Sequence, residues 1–465
     1  MTSRVARSRR RDRFLVVAFA LVVRALVIAW GATRFPPAAD GTYYHRIAER
    51  IASGNGYTWV WPDGSVTFAA HYPIGYPALI SVFYTLFGVH PVLAMLVNAL
   101  FGVAGSVAGY ELVRASGFGK RAALFSGLGV ALHPALVPYT LAIMTEGVTA
   151  SLLLIAAAFA ARSKLQPKTR WIVALGFILG VATLVRPQSI LLAPLFGWIA
   201  SRGSIRARGR TVLAVSTLAI VCCLPWTARN CVRMHRCALV SVNAGWNLLI
   251  GEESTSGAWQ PIDVPDECKT VWDEAGKDAC FDTAARTRII QRPWHFIAEI
   301  PRKLAVTFDY YGGAPWYLHE SSPEAFGDAA KVKLGILETV FSRLALAGAL
   351  LWFALSFRGS RISWWLALVG LPFAFWRASW VATLALAGAI LVSRPARENV
   401  ALGSAAWTLV ATAATHAIFF GAGRYGLVSS PFIVVVCASC AMRSWRQKVS
   451  PSLASKSFKS SFNKS

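Results

Sequence analysis

R-S-R-R-R-D-R-F-L-V-V-A-F-A-L-V-V-R-A-L-V-I-A-W, residues 7–30, is the stretch that decides the fold. A dense basic cluster gives way at Phe14 to an apolar run that lasts to Trp30. Lipid offers the backbone no hydrogen-bond partners, so a run approaching 20 apolar residues reads as a bilayer-spanning helix. The segment resembles a signal sequence but lacks a small-residue cleavage site, and its apolar run is long enough to span. It is therefore expected to be a retained first helix over about 14–33, its N-terminus in the cytoplasm.

The rest of the chain repeats this pattern. Of its 465 residues 55% are hydrophobic and 15% charged, where a soluble domain carries about 25% charged residues. A net charge of +25 invites a nucleic-acid reading. The basic residues argue against it, because they gather in short caps beside apolar runs: Arg114–Arg121, Arg162–Arg170, Arg202–Arg210, Arg358 with Arg361, Arg394 with Arg397, and Arg443–Lys464. Such caps mark cytoplasmic loops rather than a nucleic-acid surface.

Turning each cap inward predicts an all-α polytopic membrane protein of about 12 transmembrane helices, with external juxtamembrane helices and a small extracytoplasmic domain. Both termini fall in the cytoplasm. Residues 1–226 form an N-terminal module of seven helices, with a first external loop over 34–90. Helix three is expected over about 122–138, helix six over 189–201 and helix seven over 211–226. The aromatic stretch 71–88 is too short to span comfortably and is read as an interfacial helix. Residues 227–335 hold most of the acidic residues and are too long for a structureless loop, so they should fold as an external domain. Helix eight is expected over 336–357, a hairpin over 362–393 with Arg377 near its tip, then helices over 400–420 and 427–442. These C-terminal helices (336–442) precede a disordered basic tail, 443–465. Cys231, Cys237, Cys268 and Cys280 lie in the outer region, where up to two disulfides or a metal site are the alternatives, and no C-x-x-C pair favours the metal. Cys222, Cys223, Cys437 and Cys440 lie in apolar helices as packing residues.

Four charged residues, not used to orient the helices, all fall at outer helix ends: Asp40, Glu146, Arg186 and Arg424. Charge at membrane depth is costly, which makes each a functional candidate. The bland reading of the two acids is helix capping; that of the arginines is snorkelling to headgroups. The functional reading is a base or cation ligand for the acids and a two-pronged grip on phosphate for the arginines. His71, Tyr72 and His416 are candidate hydrogen-bond partners. Trp59, Trp61, Trp246, Trp259 and Trp316 read as interface anchors or sugar-stacking surfaces.

In chain order, D-G-T-Y-Y-H-R-I-A (40–48), G-N-G-Y (54–57), H-Y-P-I-G-Y-P-A-L (71–79), M-T-E (144–146), L-V-R-P (184–187) and H-A-I-F-F-G-A-G-R-Y-G (416–426) together resemble the membrane-embedded C-superfamily (GT-C fold) glycosyltransferases. That group includes protein O-mannosyltransferases and bacterial aminoarabinose transferases. The likeness covers about 34–200 well and 400–440 moderately, and 227–335 matches nothing recognised. It implies transfer of a sugar from a polyprenyl-phosphate donor to a glycan, lipid or protein hydroxyl outside the membrane. It makes Asp40 the catalytic aspartate and Glu146 the second external acid, with Tyr44, His71, Tyr72, Arg186, Arg424 and Tyr425 around the substrates. His71 is a departure, standing where relatives often carry lysine or glutamate. A divalent cation shared by Asp40 and Glu146 is left open. A transporter of lipid-linked sugars would place its polar residues at the bilayer midplane, which this chain does not. A non-catalytic envelope protein would work through its outer domain alone.

Overall fold

The computed structural model describes residues 2–357 and 360–449, so Arg358 and residues 450–465 of the expected disordered tail lie outside the described residues. α1 (Thr2–Gly31) is followed by α2 (Asp40–Ala52), an antiparallel hairpin of β1 (Thr58–Val60) and β2 (Val66–Phe68), and α3 (Gly75–Phe87). α4 (Pro91–Ala115), α5 (Lys120–Ala131), α6 (Glu146–Leu165), α7 (Thr169–Val185), α8 (Leu192–Ile199) and α9 (Ile205–Arg233) complete the first half. Six short helices make the polar region: α10 (Ala244–Glu253), α11 (Asp266–Lys269), α12 (Glu274–Gln291), α13 (Pro293–Ala298), α14 (Ile300–Phe308) and α15 (Gly313–Ser321). α16 (Asp328–Ser356), α17 (Arg361–Phe373), α18 (Ser379–Val392), α19 (Arg394–Arg397), α20 (Val400–Ile418), α21 (Gly423–Gly426) and α22 (Ser430–Val449) close the chain.

Among the described residues five helices are long and apolar enough to cross a bilayer: Ser8–Gly31 of α1, then α4, α6, α9 and α16. Six shorter apolar helices join them, α3 included. The chain is thus an integral membrane protein. Helices meet through small residues, as is usual where lipid supplies no hydrophobic drive. Gly176 and Gly180, one turn apart on α7, face α9 so closely that a Cβ on either would lie 2.6 Å from Leu218 or 2.5 Å from Cys222.

Several boundaries differ from expectation. Helix three stops at Ala131 instead of 138, because Pro134 cannot continue it. The segment expected as helix six is a 3-10 turn, Pro187–Leu191, followed by the two-turn α8. α9 runs on to Arg233 despite Pro225, the Thr227 hydroxyl donating to the Cys223 carbonyl at 3.1 Å. α16 begins at Asp328, so the divisions drawn at 226 and 335 fall at or inside helices. α20 is buried on nearly all sides and, carrying Ser404, Thr408, Thr412 and Thr415, is not among the lipid-competent spans. α22 continues through 443–449, the start of the expected tail. The hairpin α17–α18 turns around Arg377 as expected.

The ends of the bundle differ in chemistry. At one end Glu111 of α4 pairs with Arg9, Arg13 and Arg162, and Glu398 pairs with Arg208 at 2.9 Å and Lys164 at 3.4 Å. These are the basic caps. The polar helices α10–α15 lie at the other end, where disulfides join Cys231 to Cys237 and Cys268 to Cys280. Leu248, Leu249, Cys268, Phe281 and Ala285 form a small core there. The other four cysteines are free.

Candidate active site

Asp40, Glu146, Arg186 and Arg424 come from four separate segments and meet in one cluster at the end remote from the basic caps. Asp40 is the first residue of α2, Glu146 the first of α6, Arg186 follows α7 and Arg424 follows α20. Arg424 Nη2 donates to Asp40 Oδ2 at 2.8 Å, and its Nε lies 3.8 Å from Glu146 Oε1. Arg186 Nη1 reaches the same Glu146 oxygen at 2.8 Å. The Tyr72 hydroxyl donates to Asp40 Oδ1 at 2.8 Å, and the Tyr139 hydroxyl to Glu146 Oε2 at 2.8 Å.

Both acids lie in the first turn of their helices, where the helix dipole favours them. Neither acid caps its helix, since neither α2 nor α6 has a side-chain cap hydrogen bond. Neither arginine snorkels, because the side chains of Arg186 and Arg424 are only 11% and 18% exposed. The two carboxylates share the Arg424 guanidinium. Among the described residues no group of three or more His, Cys, Asp or Glu side chains could hold a metal.

Aromatic rings wall the cluster. Arg186 lies 4.9 Å and Arg424 5.2 Å from the centre of the Tyr425 ring, and Arg424 also lies 5.4 Å from that of Trp316. Such contacts hold a guanidinium in place without neutralising it. His416 stacks under Tyr425 at 4.5 Å and bonds to the Phe420 carbonyl. On the other side Tyr44 is buried against Tyr72 and Tyr76, a structural position behind the site. Tyr43 bridges Tyr72 to Trp59, on which it stacks at 4.4 Å. His71 is edge-on to Tyr72 and Trp246. Trp61 and Trp259 are exposed.

The electrostatics follow from this packing. Burial opposes ionisation of Asp40, but Arg424, with the Tyr72 hydrogen bond, more than offsets it and holds the carboxyl below its usual range. Burial likewise opposes the charge on Arg424, and Tyr425, Asp40 and Glu146 outweigh it. Burial pushes the His71 imidazole down to about 4 against the pull of Asp40, so it is neutral at physiological pH. Asp40 is an ionised acceptor, and the arginines are fixed cations with donors to spare.

Sequence reasoning passes over Tyr139, Tyr317 and Glu274. The Tyr317 hydroxyl, on α15, accepts backbone N–H groups of Ala38 at 3.3 Å and Ile143 at 3.2 Å, tying the lead-in to Asp40 to the lead-in to Glu146. No local pattern marks it. Arg24 is also passed over, although a lone arginine inside an apolar run is itself a signal. It is buried in α1 and donates to the Ala20 and Ala131 carbonyls.

With this geometry in hand, residues 71–228 match the family of dolichyl-phosphate-mannose-protein mannosyltransferases. The match takes in His71, Tyr72, Glu146 and Arg186 and leaves out Asp40 and Arg424. The chain thus resembles the GT-C glycosyltransferases, as its motifs suggested, and over that segment carries the signature of a membrane glycosyltransferase. No curated protein matches the sequence. An oligosaccharyltransferase from Archaeoglobus fulgidus, solved with Zn and sulfate, aligns at 15% identity and a TM-score of 0.48, over 91% of this chain and 48% of its own. The chain therefore spans about half the length of that protein. ArnT from Cupriavidus metallidurans, solved bound to undecaprenyl phosphate, aligns at 18% identity and a TM-score of 0.40, over 92% of this chain and 77% of its own. Both likenesses are too loose to carry residue roles across.

Proposed function

We propose that the chain transfers a sugar from a polyprenyl-phosphate donor to an acceptor hydroxyl on the extracytoplasmic face of the membrane. The acceptor is a glycan, a lipid or a protein. About twelve helices cross the bacterial inner membrane with both termini in the cytoplasm, and α10–α15 form the external domain. The observation that carries the reading is the convergence of two acids and two arginines from four segments at the bundle end opposite the basic caps. A midplane transport path would centre on polar groups along the bundle, where Arg24 is instead taken up by the Ala20 and Ala131 carbonyls.

The chemistry uses those groups directly. The acceptor hydroxyl gives its proton to Asp40 while its oxygen attacks the anomeric carbon. The bond from that carbon to the phosphate oxygen breaks, and the polyprenyl phosphate leaves with one more negative charge than it brought. In-line displacement inverts the anomeric centre. The leaving group is good without an acid, so the protein supplies a base and fixed positive charge. Arg186 and Arg424 supply the charge; Glu146 holds both in place. A phosphate that draws Arg424 toward itself leaves Asp40 with Tyr72 alone, making the carboxylate a stronger base once the donor is bound.

In-vitro transfer from a polyprenyl-phosphate sugar tests the reading. Asp40→Asn should lower turnover about 10²–10⁴-fold, the range of a general base, with thermal unfolding unchanged within a few degrees. Full activity in a folded Asp40→Asn protein would overturn the assignment.

A further inference from the structure

We infer that Glu274, on the external helix α12, is the positioning residue that holds the segment before Tyr72 in place against Asp40. Both of its carboxylate oxygens are taken up by backbone from far away in the chain. Oε2 accepts the Ala70 N–H at 2.7 Å and Oε1 the His71 N–H at 2.9 Å. The next residue is Tyr72, whose hydroxyl holds Asp40. One carboxylate thus fixes two consecutive peptide units directly before the side chain that orients the proposed base.

The segment is gripped from other sides as well. The Ala70 carbonyl accepts the Val242 N–H at 2.9 Å, and Arg229 of α9 donates to the Ala69 and Tyr57 carbonyls at 2.9 and 2.8 Å. The Tyr57 hydroxyl donates to the Tyr72 carbonyl at 2.7 Å. Glu274 itself lies between Cys268 and Cys280, whose disulfide staples α11 to α12. The external helices therefore act on the site through the chain without touching the reacting atoms. A carboxylate accepts two N–H bonds most strongly when ionised, so protonation loosens the grip.

Burial raises the Glu274 carboxyl to about 7, partly offset by the Ala70 and His71 N–H groups and by Arg229, while Asp278 on the next turn raises it further. Tyr43 and Tyr57 also face it; His71 stays neutral across this range. The sign follows: above about pH 7 the clamp is charged and closed, and below it one oxygen becomes a donor that meets an N–H. In the donor-free site Arg424 holds Asp40 below its usual range, so the limb near pH 7 is assigned to Glu274 in kcat/KM, which reports the free enzyme.

The test uses the full-length protein in nanodiscs and compares wild type, Glu274→Gln, Glu274→Ala and the exposed control Glu267→Gln. Amide hydrogen exchange of 69–72 is read at one pH above 8. It should quicken about tenfold or more in both Glu274 variants and not in the control. The activity readout rests on the glycosyl-transfer reading. There, kcat should fall about 10–10²-fold with polyprenyl-phosphate binding unchanged, and the acidic limb of kcat/KM near pH 7 should vanish in Glu274→Gln. Exchange that stays at the wild-type rate overturns the proposal, as does loosened exchange with an unaltered kcat and limb. Asp40→Asn separately decides the function, so the two failures are distinguishable.

Discussion

Arg424 carries more of the site than any other residue. Its fork donates to Asp40, approaches Glu146 and lies over two aromatic rings. A lysine keeps the charge but offers a single point in place of a planar fork. Arg424→Lys should therefore lower kcat/KM about 10²-fold, measured with saturating acceptor, while Arg424→Ala loses more. At this scale the sequence was informative, since a charge stranded where an apolar helix ends has few roles open to it. What it could not give was pairing. Asp40 and Arg424 are far apart in the chain, and only the fold brings their side chains to 2.8 Å.

Elements set the precision of that pairing. α2, α6 and α15 are bolted together by Tyr317, whose hydroxyl serves two otherwise unpartnered N–H groups at Ala38 and Ile143. Tyr317→Phe removes the acceptor and keeps the ring. It should cost ~1–3 kcal/mol, read as a drop of a few degrees in Tm, and slow transfer because Asp40 and Glu146 lose their common reference. Gly41 belongs to the same contact, since a Cβ there would come within 2.6 Å of the Tyr317 hydroxyl. The sequence hides such bolts because tyrosine in a polar helix leaves no periodic trace. Helix existence was legible from hydropathy, but helix ends were not. Pro134 ended α5 early while Pro225 failed to end α9, so proline alone does not fix a helix end.

For the whole molecule, segregation of charge is the organising fact. Glu111 and Glu398 bind the basic caps at one end; Asp40, Glu146, Arg186 and Arg424 pair at the other. Single cysteines placed at 40 and 424 in a background without the native thiols should both react with a membrane-impermeant reagent from the extracytoplasmic side. Labelling of the two from opposite faces would remove the proposed site altogether. The sequence foresaw this polarity because each cap votes independently for the same side. It did not foresee the strap from α12 to Ala70 and His71, which depends on a contact about 200 residues long in sequence.

The pairing of two carboxylates with two guanidiniums leaves the resting cluster with no net charge. In the proposed reaction a donor phosphodiester adds one negative unit, and transfer adds none: the negative unit that Asp40 would give up on taking the proton reappears on the departing phosphate. The pocket's total is the same before and after the bond changes hands. Chemistry can then proceed without drawing an ion or a proton from bulk water, and the proton parked on Asp40 sits beside the very dianion able to carry it away.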